Sequence, residues 1–140
     1  MNQQLRSDAD TIVRQAIRAV LPDAAVRRAL EGRRFSGRLF LVAVGKAAWQ
    51  MAHAAVQCLD TDITDGVVIT KYGHGKGPLP GCRCFEAGHP VPDKNSFRAT
   101  QAALDLVSGA GAGDTALFLL SGGGSALLEK PLIPAEELQD

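Results

Sequence analysis

Hydrophobic residues follow two patterns along this chain, one with helical spacing and one of short continuous runs. Helical spacing of apolar residues up to Leu21 predicts a first helix, with Ser7 or Asp8 as its cap, and Pro22 suits the first turn of a second helix that ends at Gly32. The continuous runs 39–44, 66–71 and 115–120 predict strands buried on both faces of a sheet, and 82–87 predicts a shorter strand. Helical patterns fill 46–59 and 95–107.

The alternation of strands and helices predicts an α/β fold. Strands joined through helices form a parallel or mostly parallel sheet, and helices then cover both of its faces. At the end of the chain, Pro134 is followed by acidic residues, which is typical of a helix start. We therefore expect these 140 residues to be a truncated part of a larger domain.

The composition and the net charge limit the classes of partner that we expect for this chain. The chain is 46% hydrophobic with a formal net charge of zero, so no overall charge favours nucleic acid or a membrane surface. The three cysteines do not form a disulfide framework or a metal-ligand pattern, and we expect Cys82 and Cys84 to be small buried residues. The N-terminus does not resemble a signal peptide and no apolar run could span a bilayer, so a cytoplasmic location is expected.

The clearest candidate for ligand binding is a glycine-rich segment after the last predicted strand. Glycines let the backbone approach a ligand and turn several amides toward one anion, and serine hydroxyls add donors. The alternative is a tight turn without function. The segment consists of Ser121, Gly122, Gly123, Gly124 and Ser125.

Two further turns place cationic groups beside predicted helices or strands. Gly45 and Lys46 follow the first strand, where a lysine beside helix amides could hold a phosphate or stabilise a transferring phosphoryl group. An ordinary surface lysine is the alternative. Lys71 and His74 lie in a second glycine-rich loop after strand 66–71, and this pattern is weak by itself.

The loop 88–93 contains two prolines that would stiffen it. His89 could donate a hydrogen bond to a substrate carboxylate, and Asp93 could act as a base or reach a metal. The alternative is that Asp93, Asn95 or Ser96 caps the following helix and that His89 is an ordinary loop residue. The residues alone leave these possibilities equal.

Four of these segments, in this order, resemble the N-terminal half of the bacterial and archaeal glycerate 2-kinases. They are VGKAA at 44–48, TKYGHG at 70–75, EAGHPVPD at 86–93 and LSGGGSAL at 120–127. Some members of that family carry the name hydroxypyruvate reductase. The resemblance extends from about Asp8 to the last residue, and four ordered motifs make it specific.

The resemblance implies a Rossmann-like, three-layer α/β/α domain that a smaller C-terminal domain, absent from this chain, would follow. It implies a catalytic role for Lys46 and a ligand-binding role for Ser121 to Ser125, with His89 and Asp93 bordering the cleft. It also implies ATP and Mg²⁺ as cofactors and D-glycerate as the small-molecule substrate. A truncated domain leaves apolar surface uncovered, so we expect self-association.

Two rival functions remain open on the sequence alone. A hydroxypyruvate reductase would use NAD(P)H, but the turn after the first strand does not have the second and third glycines of a dinucleotide fingerprint. A fragment that binds anions without catalysis is the other rival. Turnover of a nicotinamide cofactor would identify the first, and binding without turnover would identify the second.

Overall fold

The elements of the computed structural model, which describes residues 2–59, 63–122, 125–134 and 137, follow the predicted order. The helices are α1 (Gln3–Ala19), α2 (Pro22–Leu30), α3 (Ala48–Leu59) and α4 (Lys94–Ser108). The strands are β1 (Leu39–Gly45), β2 (Ile63–Lys71), β3 (Cys82–Ala87) and β4 (Thr115–Ser121), and a 3-10 turn spans Ser125–Leu127. The helix predicted after Pro134 falls largely outside the described residues.

The four strands form one parallel sheet in the order β3-β2-β1-β4. The chain moves outward from β1 to β3, and α4 then returns it across the sheet to pair β4 with the other side of β1. The direction of strand order therefore reverses between β1 and β4. The predicted α/β fold with a mostly parallel sheet is confirmed.

Helices cover the sheet on both faces because β1 is apolar at every position. All seven of its residues are buried, as the continuous apolar run predicts. Alternate residues such as Leu41 and Ala43 pack under α2 and α3, while Val42 and Val44 pack under α4 and the 3-10 turn. This gives three layers, with β1 at the centre of the core.

Both edge strands differ from the prediction of full burial. Phe118 and Leu120 of β4 are 50% and 58% exposed, because one face of this edge strand has little cover among the described residues. At the opposite edge, Cys82 is half-buried and Cys84 is exposed, so the expected burial is only partial for Cys82 and wrong for Cys84. The apolar pattern predicts that a segment forms a strand, but it does not show how many strands and helices pack against that segment.

The first helix forms as expected, but it starts earlier and packs less than its pattern suggests. Its cap is Asn2 rather than Ser7 or Asp8, since the Asn2 side-chain oxygen accepts a hydrogen bond from Gln4 N–H at 2.9 Å. None of its residues is buried, and Ile12 is 67% exposed. In the described part of the chain, we find no helix that combines the length and apolar character of a membrane span.

An ion pair ties the start of β1 to the start of β4. Arg38 Nη2 lies 2.7 Å from Asp114 Oδ2, and the Arg38 backbone N–H donates to Asp114 Oδ1 at 2.8 Å. Hydrogen bonds from the Arg38 side chain and from Gly111 N–H lower the pKa of the Asp114 carboxyl. The pair therefore fixes the amino ends of these two neighbouring strands.

Candidate anion-binding site

The turn after β1 requires a glycine. Gly45 has a φ of +119°, which side-chain-bearing residues rarely adopt, and it pairs with Ser121 at the end of β4. A Cβ on Gly45 would lie 2.3 Å from the Ser121 carbonyl oxygen and 2.8 Å from Ser121 Oγ. The absence of a side chain therefore lets the carboxyl ends of the two strands come together.

The Ser121 hydroxyl joins the two strand ends to α3. Ala47 N–H donates to Ser121 Oγ at 3.0 Å, which gives an acceptor to an amide just before the first turn of that helix. The oxygen serves as an acceptor in this bond, so the Ser121 O–H can still donate to a ligand. Gly122, the next residue, has a φ of +66°, which also favours a glycine.

A cavity of about 230 Å³ opens at this place. In open α/β sheets, ligands bind beyond the carboxyl ends of the strands at the point where strand order reverses, and that point here lies between β1 and β4. The cavity is lined by Gly45, Lys46, His89, Ser121, Gly122 and Leu127. Three of the predicted motifs therefore meet in one cavity, although they are distant in sequence.

Lys46 contributes the positive charge of this cavity. Its side chain is exposed, and no carboxylate of the described residues forms an ion pair with it. The peptide of Lys46 is held more firmly, because its carbonyl oxygen lies 3.3 Å from Thr70 Oγ1 and 3.1 Å from His74 Nδ1. The ammonium can therefore move toward a ligand while its backbone stays anchored.

Asp93 lies outside the cavity lining and caps α4. Its carboxylate accepts from Ser96 N–H at 3.0 Å in a capping box, and the Tyr72 hydroxyl donates to its Oδ2 at 2.7 Å. Burial alone would raise the pKa of Asp93, but hydrogen bonds from Tyr72, Ser96 and Gly88 outweigh it and lower that pKa. The bond to Asp93 also raises the pKa of the Tyr72 phenol. This geometry favours the capping alternative for Asp93.

The remaining predicted residues lie around the cavity or outside the described chain. Lys71 ends β2 and is half-buried, and His74 contacts the Lys46 carbonyl, but neither lines the cavity. Gly123 and Gly124 fall outside the described residues. Ser125 begins the 3-10 turn that brings Leu127 to the cavity wall.

Three contributors were missed by sequence reasoning. Leu127 lines the cavity, Tyr72 anchors the 88–93 loop through Asp93, and Trp49 contacts the loop after β2. Tyr72 and Leu127 lie within the motifs 70–75 and 120–127, so their place in those motifs could have identified them as candidates. Trp49 directly follows the first motif, and nothing in the local pattern showed that its indole reaches another loop.

Two larger cavities share no lining residue with this one. One of about 400 Å³ lies beside the arginines at the end of α2, and one of about 450 Å³ lies between α2 and the apolar residues of β4. Neither combines a lysine, a serine hydroxyl and a positive-φ glycine. Among the described residues, no group of three or more His, Cys, Asp or Glu side chains could hold a metal ion.

The fold and the place of the cavity define the class of protein. It is a doubly wound α/β domain with a cavity at the switch point of its parallel sheet, and that cavity is lined in part by a lysine, a histidine and a serine. The chain belongs to the family described as "Domain of unknown function (DUF4147)", which it matches over residues 8–140.

Several proteins similar to this chain are named as glycerate kinases. The D-glycerate 2-kinase of Thermotoga maritima is 50% identical over 139 residues, which is 98% of this chain and 33% of that protein. A crystal structure of glycerate kinase from the same organism has a TM-score of 0.91 at 49% identity, and the match covers 99% of this chain and 34% of that one. The chain therefore spans about a third of the length of these relatives.

Two of the relatives carry a different name. A protein from Agrobacterium vitis named as a candidate hydroxypyruvate reductase is 43% identical over 96 residues, which is 68% of this chain and 22% of that protein. The two names denote different reactions, phosphoryl transfer and reduction, within one family. The residues that line the cavity can distinguish between these two reactions.

Proposed function

We propose that this chain is part of a glycerate 2-kinase, which transfers a phosphoryl group from ATP to the 2-hydroxyl of D-glycerate. The observation that carries the proposal is the cavity between the ends of β1 and β4, where Lys46 and Ser121 face one space. The names of the similar proteins support the same reaction. We further propose that the 140 residues form the N-terminal part of the large α/β domain and that a C-terminal domain belongs to the complete enzyme.

The groups around the cavity suit a phosphate. Phosphoryl transfer depends mainly on positioning and on neutralising charge, and a mobile ammonium and a hydroxyl donor meet both needs. Lys46 supplies the ammonium, Ser121 supplies the O–H, and Gly45 leaves room where a Cβ would meet Ser121. His89 on the same wall is suited to donate to the carboxylate of glycerate.

ATP would supply the phosphoryl group when bound, and Mg²⁺ would accompany its phosphates. Magnesium is commonly held by one or two carboxylates together with substrate phosphates. The described residues do not offer a dedicated metal cluster, and the Asp93 carboxylate is already engaged by Tyr72 and Ser96. We therefore assign to these residues the binding of phosphate and substrate.

The reductase alternative has less support from this site. A nicotinamide cofactor is held by a turn with three spaced glycines after the first strand, whereas this turn reads Gly45-Lys46-Ala47-Ala48. Ala47 stands where the second glycine would be, and Lys46 brings positive charge, which suits a transferring phosphoryl group better than a hydride. The position of Lys46 thus favours the kinase.

Calorimetric titration with 2-phosphoglycerate, D-glycerate and Mg-ATP tests the proposal. The Lys46→Ala variant should bind 2-phosphoglycerate more than tenfold more weakly, since a hydrogen bond to a charged group contributes about 1.5–3 kcal/mol. Lys94→Ala is the matched control, because it removes an exposed lysine of α4 that does not line the cavity. Equal affinities in the two variants would refute the role of Lys46.

Other outcomes identify the rivals. Loss of nicotinamide absorbance with hydroxypyruvate would support the reductase. Binding of 2-phosphoglycerate without turnover of Mg-ATP would support an anion-binding fragment. Folded wild-type chain that binds none of the three ligands would show that these residues do not form the site alone.

Self-association and a cytoplasmic location remain predictions. Support for self-association comes from the exposed apolar residues of α1 and β4, such as Ile12 and Phe118. Monodisperse monomer in light scattering would contradict it.

A further inference from the structure

The loop after β2 is exposed and rich in glycine, yet it follows one defined path. This 72–78 loop contains Gly73, Gly75 and Gly77, and all of its residues are exposed. Gly73 and Gly77 have φ values of +76° and +115°. Glycine loses more conformational freedom on ordering than any other residue, so specific contacts must hold such a loop in place.

Beyond the bonds that Tyr72 makes at its start, the loop is held by hydrogen bonds to three different parts of the chain. The Trp49 indole N–H in α3 donates to the Gly77 carbonyl at 2.7 Å. Gly75 N–H donates to Glu86 Oε1 of β3 at 2.8 Å. His74 Nδ1 lies 3.1 Å from the carbonyl oxygen of Lys46, in the turn between β1 and α3.

Two side chains lie against the Trp49 ring. It stacks on the His53 imidazole with centroids 5.0 Å apart and 11° between the planes, and Lys76 Nζ lies 6.0 Å from its centroid. An indole has only two rotatable side-chain bonds, so a ring packed in this way presents its N–H in a fixed direction. Trp49 is therefore a rigid anchor for the loop.

The contact between His74 and Lys46 makes this anchoring relevant to the cavity. A carbonyl oxygen can only accept a hydrogen bond, so His74 Nδ1 must carry a proton in this contact. Together with Thr70, His74 fixes the Lys46 carbonyl, and the following Ala47 N–H donates to Ser121 Oγ. The peptide of the cavity lysine is thus fastened partly through the loop.

We propose that Trp49 is a positioning residue: its indole N–H holds the 72–78 loop so that His74 fixes the peptide of Lys46 beside the anion. The link to a phosphate ligand rests on the proposed function. The link from Trp49 to the loop and to Lys46 does not depend on it. Trp49 itself does not line the cavity.

Trp49→Phe tests the proposal because it removes the N–H donor, together with the five-membered ring that carries it, and keeps an aromatic ring beside His53. Amide hydrogen exchange of Gly75 and His74 should accelerate about two- to tenfold, as expected for the loss of one neutral hydrogen bond, while exchange in β1 stays unchanged. The Ala47 amide resonance should shift, since the Lys46 carbonyl loses its fixed partner. Unchanged loop exchange or an unmoved Ala47 resonance would overturn the proposal.

Binding supplies the second arm of the test. In Trp49→Phe and in His74→Ala, 2-phosphoglycerate should bind about two- to tenfold more weakly than in the wild type. The double variant should bind no more weakly than His74→Ala, because both changes act through one contact. Additive losses would show that Trp49 acts by another route, and Lys94→Ala again serves as the control.

The two arms separate the failure of this proposal from the failure of the kinase assignment. If the wild type binds no phosphate ligand but Trp49→Phe frees the loop and shifts Ala47, the positioning role stands and the assignment of the site fails. If the wild type binds and Trp49→Phe changes neither exchange nor affinity, the positioning role fails alone. Far-ultraviolet circular dichroism confirms that each variant is folded.

Discussion

Replacing Gly45 by alanine tests whether the site depends on the close approach of β1 and β4. The new methyl group would meet the Ser121 carbonyl oxygen at 2.3 Å and Ser121 Oγ at 2.8 Å. Real Cβ atoms do not make such contacts, and the nearest atom belongs to the backbone, so one strand end must move. The substitution also forces alanine into a φ of +119°.

The expected loss of stability combines these two effects. A side chain in a rarely populated backbone region costs about 1–3 kcal/mol. Overpacking a well-packed position costs about another 1–3 kcal/mol. We therefore expect Gly45→Ala to lower the free energy of unfolding by about 2–6 kcal/mol, a large part of the stability of a small domain.

Gly32→Ala isolates the backbone effect. Gly32 also has a positive φ, +69°, but no atom lies within 4 Å of the position that a new methyl group would occupy. This control should cost about 1–2 kcal/mol, from backbone strain alone. Urea unfolding of both variants gives the comparison, and losses that agree within about 0.5 kcal/mol would refute the argument from close approach.

Three further predictions concern titrating groups. Arg38 lowers the pKa of Asp114 in the folded state, so this ion pair should stabilise the protein fully above the ordinary carboxyl pKa and lose its effect as the pH falls through the pKa of the folded state. Asp114→Asn should flatten this acid dependence in urea unfolding, and an unchanged profile would contradict the prediction. Tyr72→Phe removes a donor to the N-cap carboxylate of α4, so the pKa of that carboxyl should rise in an NMR titration, and an unmoved value would show that the bond contributes nothing. Burial raises the pKa of the Cys82 thiol to about 11, so this thiol should react with iodoacetamide more slowly than exposed Cys58 at mildly alkaline pH; equal rates would contradict the burial.

Much of the fold could be predicted because its signals are local. Continuous apolar runs marked β1, β2 and β4, and the structure places strands at all three. Proline and glycine marked the ends of α2. Burial at the sheet edges could not be predicted, because the exposure of Phe118 depends on which elements lie beside β4 and not on its own sequence.

The candidate site was predicted in its parts but not in its assembly. Lys46, His89 and Ser121 were singled out from local patterns, and the structure brings them to one cavity. Asp93 was considered as a base or metal ligand, whereas the geometry makes it the cap of α4. Local spacing could not separate these roles, because an acidic residue at the start of a helix can serve in either.

The sequence by itself determined the class of fold, the order of the elements and the polar segments at the strand ends, since these follow from periodicity, glycine and proline. Only the tertiary structure decided which strand ends are neighbours. The return of the chain across the sheet puts β4 beside β1, and this joins residues 45 and 121 although they are far apart in sequence. It also decided that Trp49 reaches Gly77, because a hydrogen bond between distant segments depends on how helices and loops pack and leaves no periodic signal in either segment.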